Sequence, residues 1–133
     1  MRKPADRHDP RKIREKDQGR RGTRNTIIEP RVDIQADLDA INRGDGIIDR
    51  HWQTIWVNGR LWGYHADTGT IYPMEGGGFV QMTQLQFFAL RVLVRYNGIN
   101  PQSERMLANN PDMTDEDRDI ARRIWRMREE AGN

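Results

Sequence analysis

The chain has 133 residues, 35% of them hydrophobic and 32% charged, with a formal net charge of +2. It holds no cysteine, which excludes disulfides, thiolate zinc sites and cysteine nucleophiles. No apolar run approaches the ~20 residues of a membrane helix. The charge is uneven. Residues 1–31 carry eleven Lys or Arg against five Asp or Glu, and the remaining 102 carry eleven against fifteen.

Residues 1–29 are rich in Arg, Lys, Asp, Gly and Pro, with Ile13, Ile27 and Ile28 as the main apolar side chains. Such a composition buries too little surface to offset its ordering entropy. The expectation is a basic disordered tail over 1–29, with a transient helix around Asp9–Asp17, and a single α+β domain over 30–133. The N-terminus lacks an apolar h-region, so no secretory signal is expected, and the expected place of action is the cytoplasm.

Val32 to Arg43 reads as the first helix, with Ile34, Leu38 and Ile41 at spacings of four and three. Asp33 suits its start, and Gly44 its end. Three short runs follow: Gln53–Val57, Arg60–His65 and Thr70–Pro73. Asn58-Gly59 between the first two is a strong two-residue hairpin signal, and Asp67-Thr68-Gly69 suits a three-residue loop. A three-stranded antiparallel meander is predicted. Its first turn pairs Val57 with Arg60, Ile55 with Trp62 and Gln53 with Tyr64. The second would place Ile71 beside His65 and Tyr72 beside Tyr64. One face then carries Arg60, Trp62, Tyr64 and Tyr72, and the other Trp52, Trp56, Leu61 and His65.

Gly76-Gly77-Gly78 reads as a crossover from sheet to helix. No Lys-Ser/Thr follows it, and the strand before it is not part of a βαβ unit, so a phosphate loop is not expected. Met82–Asn97 is the predicted central helix, apolar on nearly every face. Thr83 and Gln86 form a capping box there. A short helix from Pro101 to about Ala108 and a last helix capped by Thr114 complete the chain.

The chemistry-bearing residues are sparse. The body holds two histidines, His51 and His65, and no metal-ligand spacing, so neither metal nor cofactor is expected. Arginine beside aromatic rings is what single-stranded nucleic acid binding uses. That makes Arg60, Trp62, Tyr64 and Tyr72 candidate contacts, joined by Arg20, Arg21 and Arg24 of the tail. A metal-independent ribonuclease needs a base, an acid and a cation. His65, Glu75 and Arg60 are the candidates for those roles, with Arg91 and Arg95 as other sources of the cation. For each residue the competing role is structural: rings covering a helix, and a histidine satisfied at a strand end.

The run Val57-Asn58-Gly59-Arg60, Gly63, Gly69-Thr70-Ile71-Tyr72-Pro73, Gly78-Phe79 and the Leu90…Tyr96-Asn97 helix resembles the C-terminal toxin modules of bacterial polymorphic toxins. The resemblance covers about residues 57–98. It implies a small α+β module acting on RNA, with an immunity protein or an assembly neighbour as partner, and it supplies no catalytic motif. The expected function is a toxin-like module acting on RNA. The alternative is a non-enzymatic adaptor. Its basic tail would bind nucleic acid or an acidic protein, and a Trp-rich sheet face would dock a partner.

Overall fold

The computed structural model describes residues 1–17 and 25–132. It is an α+β structure of four helices and two antiparallel sheets. In order, the elements are β1 (Asn25–Ile28), α1 (Ile34–Arg43), β2 (Ile47–Asp49), β3 (Thr54–Val57), β4 (Arg60–Tyr64), β5 (Ile71–Gly76), β6 (Phe79–Met82), α2 (Gln84–Arg95), α3 (Pro101–Ala108) and α4 (Asp115–Gly132). The helices begin where capping chemistry directs. Asp33 accepts from the Ala36 N–H, Thr83 and Gln86 form a reciprocal box, and Asn100 accepts from both Gln102 and Ser103.

The sheets depart from the expected meander in three ways. The first strand precedes the first helix. The meander gains an edge strand, β2, giving the order β2-β3-β4-β5. Phe79–Met82, expected as a short lead at Phe79–Val80 followed by the start of the central helix at Met82, is a strand paired with β1. The glycine run is therefore the turn that carries the chain from β5 of the four-stranded sheet to β6 of the two-stranded one. The first hairpin register is as read, with Val57 opposite Arg60 and Ile55 opposite Trp62. Asn58 and Gly59 both have positive φ, 52° and 77°, as a type I′ turn requires.

The second register differs by one residue: Ile71 lies opposite Tyr64, and Tyr72 opposite Gly63. Because the side-chain period is two, that slip exchanges the faces of Ile71 and Tyr72. Ile71 joins the buried face, and Tyr72 lies across Gly63 on the other. A Cβ on Gly63 would overlap the Tyr72 ring, so glycine is what lets the ring lie flat there.

The apolar side chains form two clusters. One joins Ile55, Val57, Trp62, Tyr64 and Ile71 of the four-stranded sheet to Leu38, Ala40 and Ile41 of α1. The other joins Phe87, Leu90 and Leu93 of α2 to Leu107, Ala121, Ile124 and Trp125 of the other helices. The sheet thus covers α1, whereas the sequence suggested that it covers the central helix. Between the clusters stands the β1–β6 ribbon. Ile27 and its partner Val80 face the helical cluster, and Ile28 and its partner Phe79 face the sheet cluster. Alternation along one strand lets neighbouring isoleucines serve different cores.

The N-terminal segment is a second correction. Residues 1–17 lie against the body, with a short 3-10 turn at Asp6–His8 in place of a helix over Asp9–Asp17. Ile13 is 2% exposed within the helical cluster, and Arg128 donates to its carbonyl at 3.2 Å. Arg2 bridges to Thr70 at the start of the β5 edge. An average over 29 residues hides three isoleucines that each reach a core. The tail arginines Arg20, Arg21 and Arg24 lie outside the described residues.

His8 makes this docking sensitive to pH. It is buried, and its Nδ1 lies 2.7 Å from the Thr26 carbonyl, which calls for a proton on that nitrogen. Burial pushes its pKa from 6.5 down to about 4; the bond to Thr26 opposes the shift and Arg7 adds to it. The unfolded or undocked state therefore binds the proton more readily. The contribution is full above pH 6.5 and is lost as pH falls toward 4, at most roughly 3 kcal/mol. Urea denaturation between pH 7.5 and 4.5 should show the wild type losing more stability than His8→Asn. Parallel curves would contradict a buried neutral His8.

Candidate functional site

The strongest constellation among the described residues is centred on Asp37, in the first turn of α1. Its side chain is fully buried, and both oxygens are used twice. Oδ1 accepts from Asn58 Nδ2 at 2.8 Å and Arg60 Nη2 at 2.7 Å. Oδ2 accepts from Arg60 Nε and Trp62 Nε1, each at 2.8 Å. Burial by itself pushes the Asp37 carboxyl up. The bonds from Arg60, Asn58 and Trp62 outweigh it and hold the group below the usual carboxylate range. This cluster clamps the Asn58-Gly59 turn and the root of β4 onto α1. Sequence reasoning missed Asp37, though a signal exists. It sits within the Ile34, Leu38, Ile41 stripe of α1, and an acid on a buried face must meet donors.

Three of the candidate residues lie in this cluster or in the core beside it. Arg60 is committed to Asp37. Trp62 is fully buried, edge-on to Phe79 at 4.8 Å, and Tyr64 is buried beside it. None of these rings is open to a base. Tyr72 lies on the opposite face, its ring 4.9 Å from that of His65. His65 is exposed at the end of β4, where its N–H donates to the Thr70 carbonyl at 3.0 Å. Glu75 is also exposed but pairs with Leu61, four residues back along β4. At ~3.3 Å per residue that places the two backbones about 13 Å apart along the strand. His65, Glu75 and Arg60 therefore occupy three separate places: one sheet end, the far rung of the same face, and the buried face.

No protein-family model matches the sequence, and neither the curated proteins nor the solved structures give a match. The functional reading therefore rests on the surface itself. Among the described residues no group of three or more His, Asp or Glu is placed to hold a metal ion, and no helix is long and apolar enough to cross a membrane.

The outer face of the four-stranded sheet is the open one. Ile47, Trp56 and Leu61 sit side by side across β2, β3 and β4, and the row ends on Glu75 of β5. Ile47 is 74% exposed and Trp56 44%. Trp52, 72% exposed, stands in the turn between β2 and β3. The Asp49 carboxylate fixes that turn by accepting from the His51 and Trp52 N–H groups at 3.0 and 3.1 Å. The His51 ring braces Trp52 edge-on at 5.0 Å. The exposed indole is thus presented on a pinned backbone. The strands place two carboxylates, Asp49 and Glu75, on this face and no Lys or Arg. The β2 strand is also a sheet edge, and its middle residue, Ile48, is 41% exposed.

Proposed function

We propose that this protein is a non-catalytic docking module that binds a protein partner on the outer face and β2 edge of its four-stranded sheet. The observation that carries the reading is the row of exposed Ile47 and Trp56, with Trp52 in the adjoining turn, on a face whose strands carry no Lys or Arg. Contiguous exposed apolar surface rimmed by polar groups marks protein interaction sites, and tryptophan is favoured where one side chain carries much of the affinity. Nucleic acid needs cations for its phosphates, and this face offers carboxylates in their place. The partner is therefore a protein surface with an apolar centre and basic side chains toward Asp49 and Glu75. An unpaired edge strand adds the option of main-chain pairing with that partner.

A ribonuclease acting through His65, Glu75 and Arg60 receives less support. A base, an acid and a cation must reach one phosphate, and these three lie apart, with Arg60 already paired. The test is photo-crosslinking in living bacteria from a benzophenone side chain at position 52, with position 43 of α1 as the control. The expected result is a discrete protein adduct from position 52 that a second change, Trp56→Glu, abolishes. Equal adducts from both positions, or adducts indifferent to Trp56→Glu, would remove the sheet face as a docking surface.

A further inference from the structure

On the opposite side of the molecule a cavity of about 210 Å³ opens between residues 15–16, α2 and α3. Its walls include Phe88, Tyr96 and Met106, and its charged groups are Lys16, Arg91 and Arg95 against the single carboxylate of Glu15. Phe88 and Met106 are 42% and 43% exposed, unusual for large apolar side chains on helices that otherwise pack a core. Arg91 and Arg95 are one helical turn apart, so both guanidinium groups project from one side of α2.

Among the described residues the two arginines have no carboxylate within ion-pair distance, whereas Arg60, Arg118 and Arg122 all do. The Nε–H of Arg91 is buried without a hydrogen-bond partner among the described residues. Its guanidinium lies instead over the Phe87 and Phe88 rings, 5.3 and 5.6 Å from their centroids, and Arg95 lies over Tyr96 at 5.4 Å. Burial lowers the basicity of Arg91, and the nearby charge of Asp17 opposes that only in part. Asp17 itself is held by the Arg14 N–H and guanidinium. A half-desolvated cation without a partner is costly, and buried polar groups are ordinarily satisfied. The missing partner is an anion with hydrogen-bond acceptors.

We propose that this cavity binds a nucleoside phosphate, with the phosphate between Arg91, Arg95 and Lys16 and the base against Phe88, Tyr96 and Met106. Two guanidinium groups and one ammonium match a phosphate dianion better than a single carboxylate. Flat aromatic and thioether walls match a base, and arginine held over a ring extends the same stacking surface. The cavity is smaller than the ~300–1,000 Å³ of drug-sized pockets, so it accepts one nucleotide unit. That unit can be a free mononucleotide or one residue of a single-stranded RNA; the chemistry of recognition is the same. The site is separate from the sheet face and independent of the partner proposed there.

The test is nitrogen-edited NMR of the full chain, observing the Arg91 Nε–H while adenosine 5′-monophosphate, hexa-adenylate RNA, inorganic phosphate or octaglutamate is added. Adenosine 5′-monophosphate should shift that resonance saturably. Phe88→Ala, at an exposed position, should weaken binding at least tenfold, and so should Arg91→Gln, which lacks the Nε–H and is read from the backbone amides of residues 88–96. Arg95→Gln, also exposed, serves if Arg91→Gln fails to fold, while Arg43→Gln on α1 should change nothing. Tighter binding of hexa-adenylate with the same residue dependence identifies RNA as the source, and equal binding identifies the free nucleotide. The proposal is overturned if neither nucleotide probe moves the resonance at millimolar concentration. It is equally overturned if inorganic phosphate binds as tightly as the nucleotide, or if octaglutamate binds the same residues more tightly.

Discussion

Asp37→Ala should destabilise the protein by about 3–5 kcal/mol, the range for removing one partner of a buried charged pair. The reason lies in what would be left behind. Asp37 accepts four hydrogen bonds, close to the full capacity of a carboxylate. Its loss orphans the Trp62 indole N–H in a fully buried position and leaves the Arg60 guanidinium, with a side chain only 15% exposed, without its counter-charge. Against a typical stability of ~5–15 kcal/mol this is a large fraction. Asp37→Asn should fall in between, since one amide oxygen can accept while its NH₂ group faces donors. Arg60→Ala combined with Asp37→Ala should cost less than the two changes summed, because the second removes a group the first had stranded. The pH dependence has a definite sign. Asp37 is held below the usual carboxylate range in the fold, so its contribution is present at neutral pH and is lost as pH falls through that lowered value. Guanidinium denaturation at pH 7 measures the main effect. A loss under 1 kcal/mol for Asp37→Ala would mean that the cluster does not hold the hairpin to α1.

The elements best legible in the sequence are those whose signals are local. The Asn58-Gly59 turn set the β3–β4 register because both central residues must take positive φ. The Thr83–Gln86 box marked the start of α2 because its partners are three residues apart. What stayed hidden depends on distant partners. Residues 79–82 carry no strong strand pattern of their own, and they form a strand by pairing with 25–28, more than fifty residues earlier. The slip in the β4–β5 register starts in the loop: the His65 N–H meets the Thr70 carbonyl, so four residues, 66–69, turn the chain where the sequence suggested three. The candidate site divides in the same way. Arg60 was recognised as a residue of consequence, but its role was read from the aromatic residues near it in sequence, when its partner is Asp37, twenty-three residues away. Arg91 and Arg95 stand out in the sequence only as other sources of a catalytic cation. Their lack of ion-pair partners is a fact of three-dimensional placement.

A chain beginning at Pro30 should fail to fold. The sequence suggests the opposite, since residues 1–29 are mostly charged and read as a dispensable tail. In the structure Ile13, Ile27 and Ile28 are each 0–2% exposed. Truncating one buried isoleucine to alanine costs ~2–5 kcal/mol, and deleting three approaches or exceeds the whole stability of a domain this size. The damage is not confined to lost side chains. Removing β1 strips β6 of its only paired strand among the described residues and opens both clusters at their shared wall, uncovering Val80 on one side and Phe79 on the other. Single substitutions separate the packing effect from the loss of charge. Ile27→Ala should lower stability by ~2–5 kcal/mol and Ile28→Ala by a similar amount. Arg14→Ala, exposed on the same segment, should stay within about 0.5 kcal/mol. Chemical denaturation followed by tryptophan fluorescence reads all of them. Trp62 and Trp125 report on the sheet and helical clusters, because each indole is buried in one of them. A truncated chain with a cooperative transition close to that of the full chain would show that the β1–β6 ribbon is not the joint between the two cores.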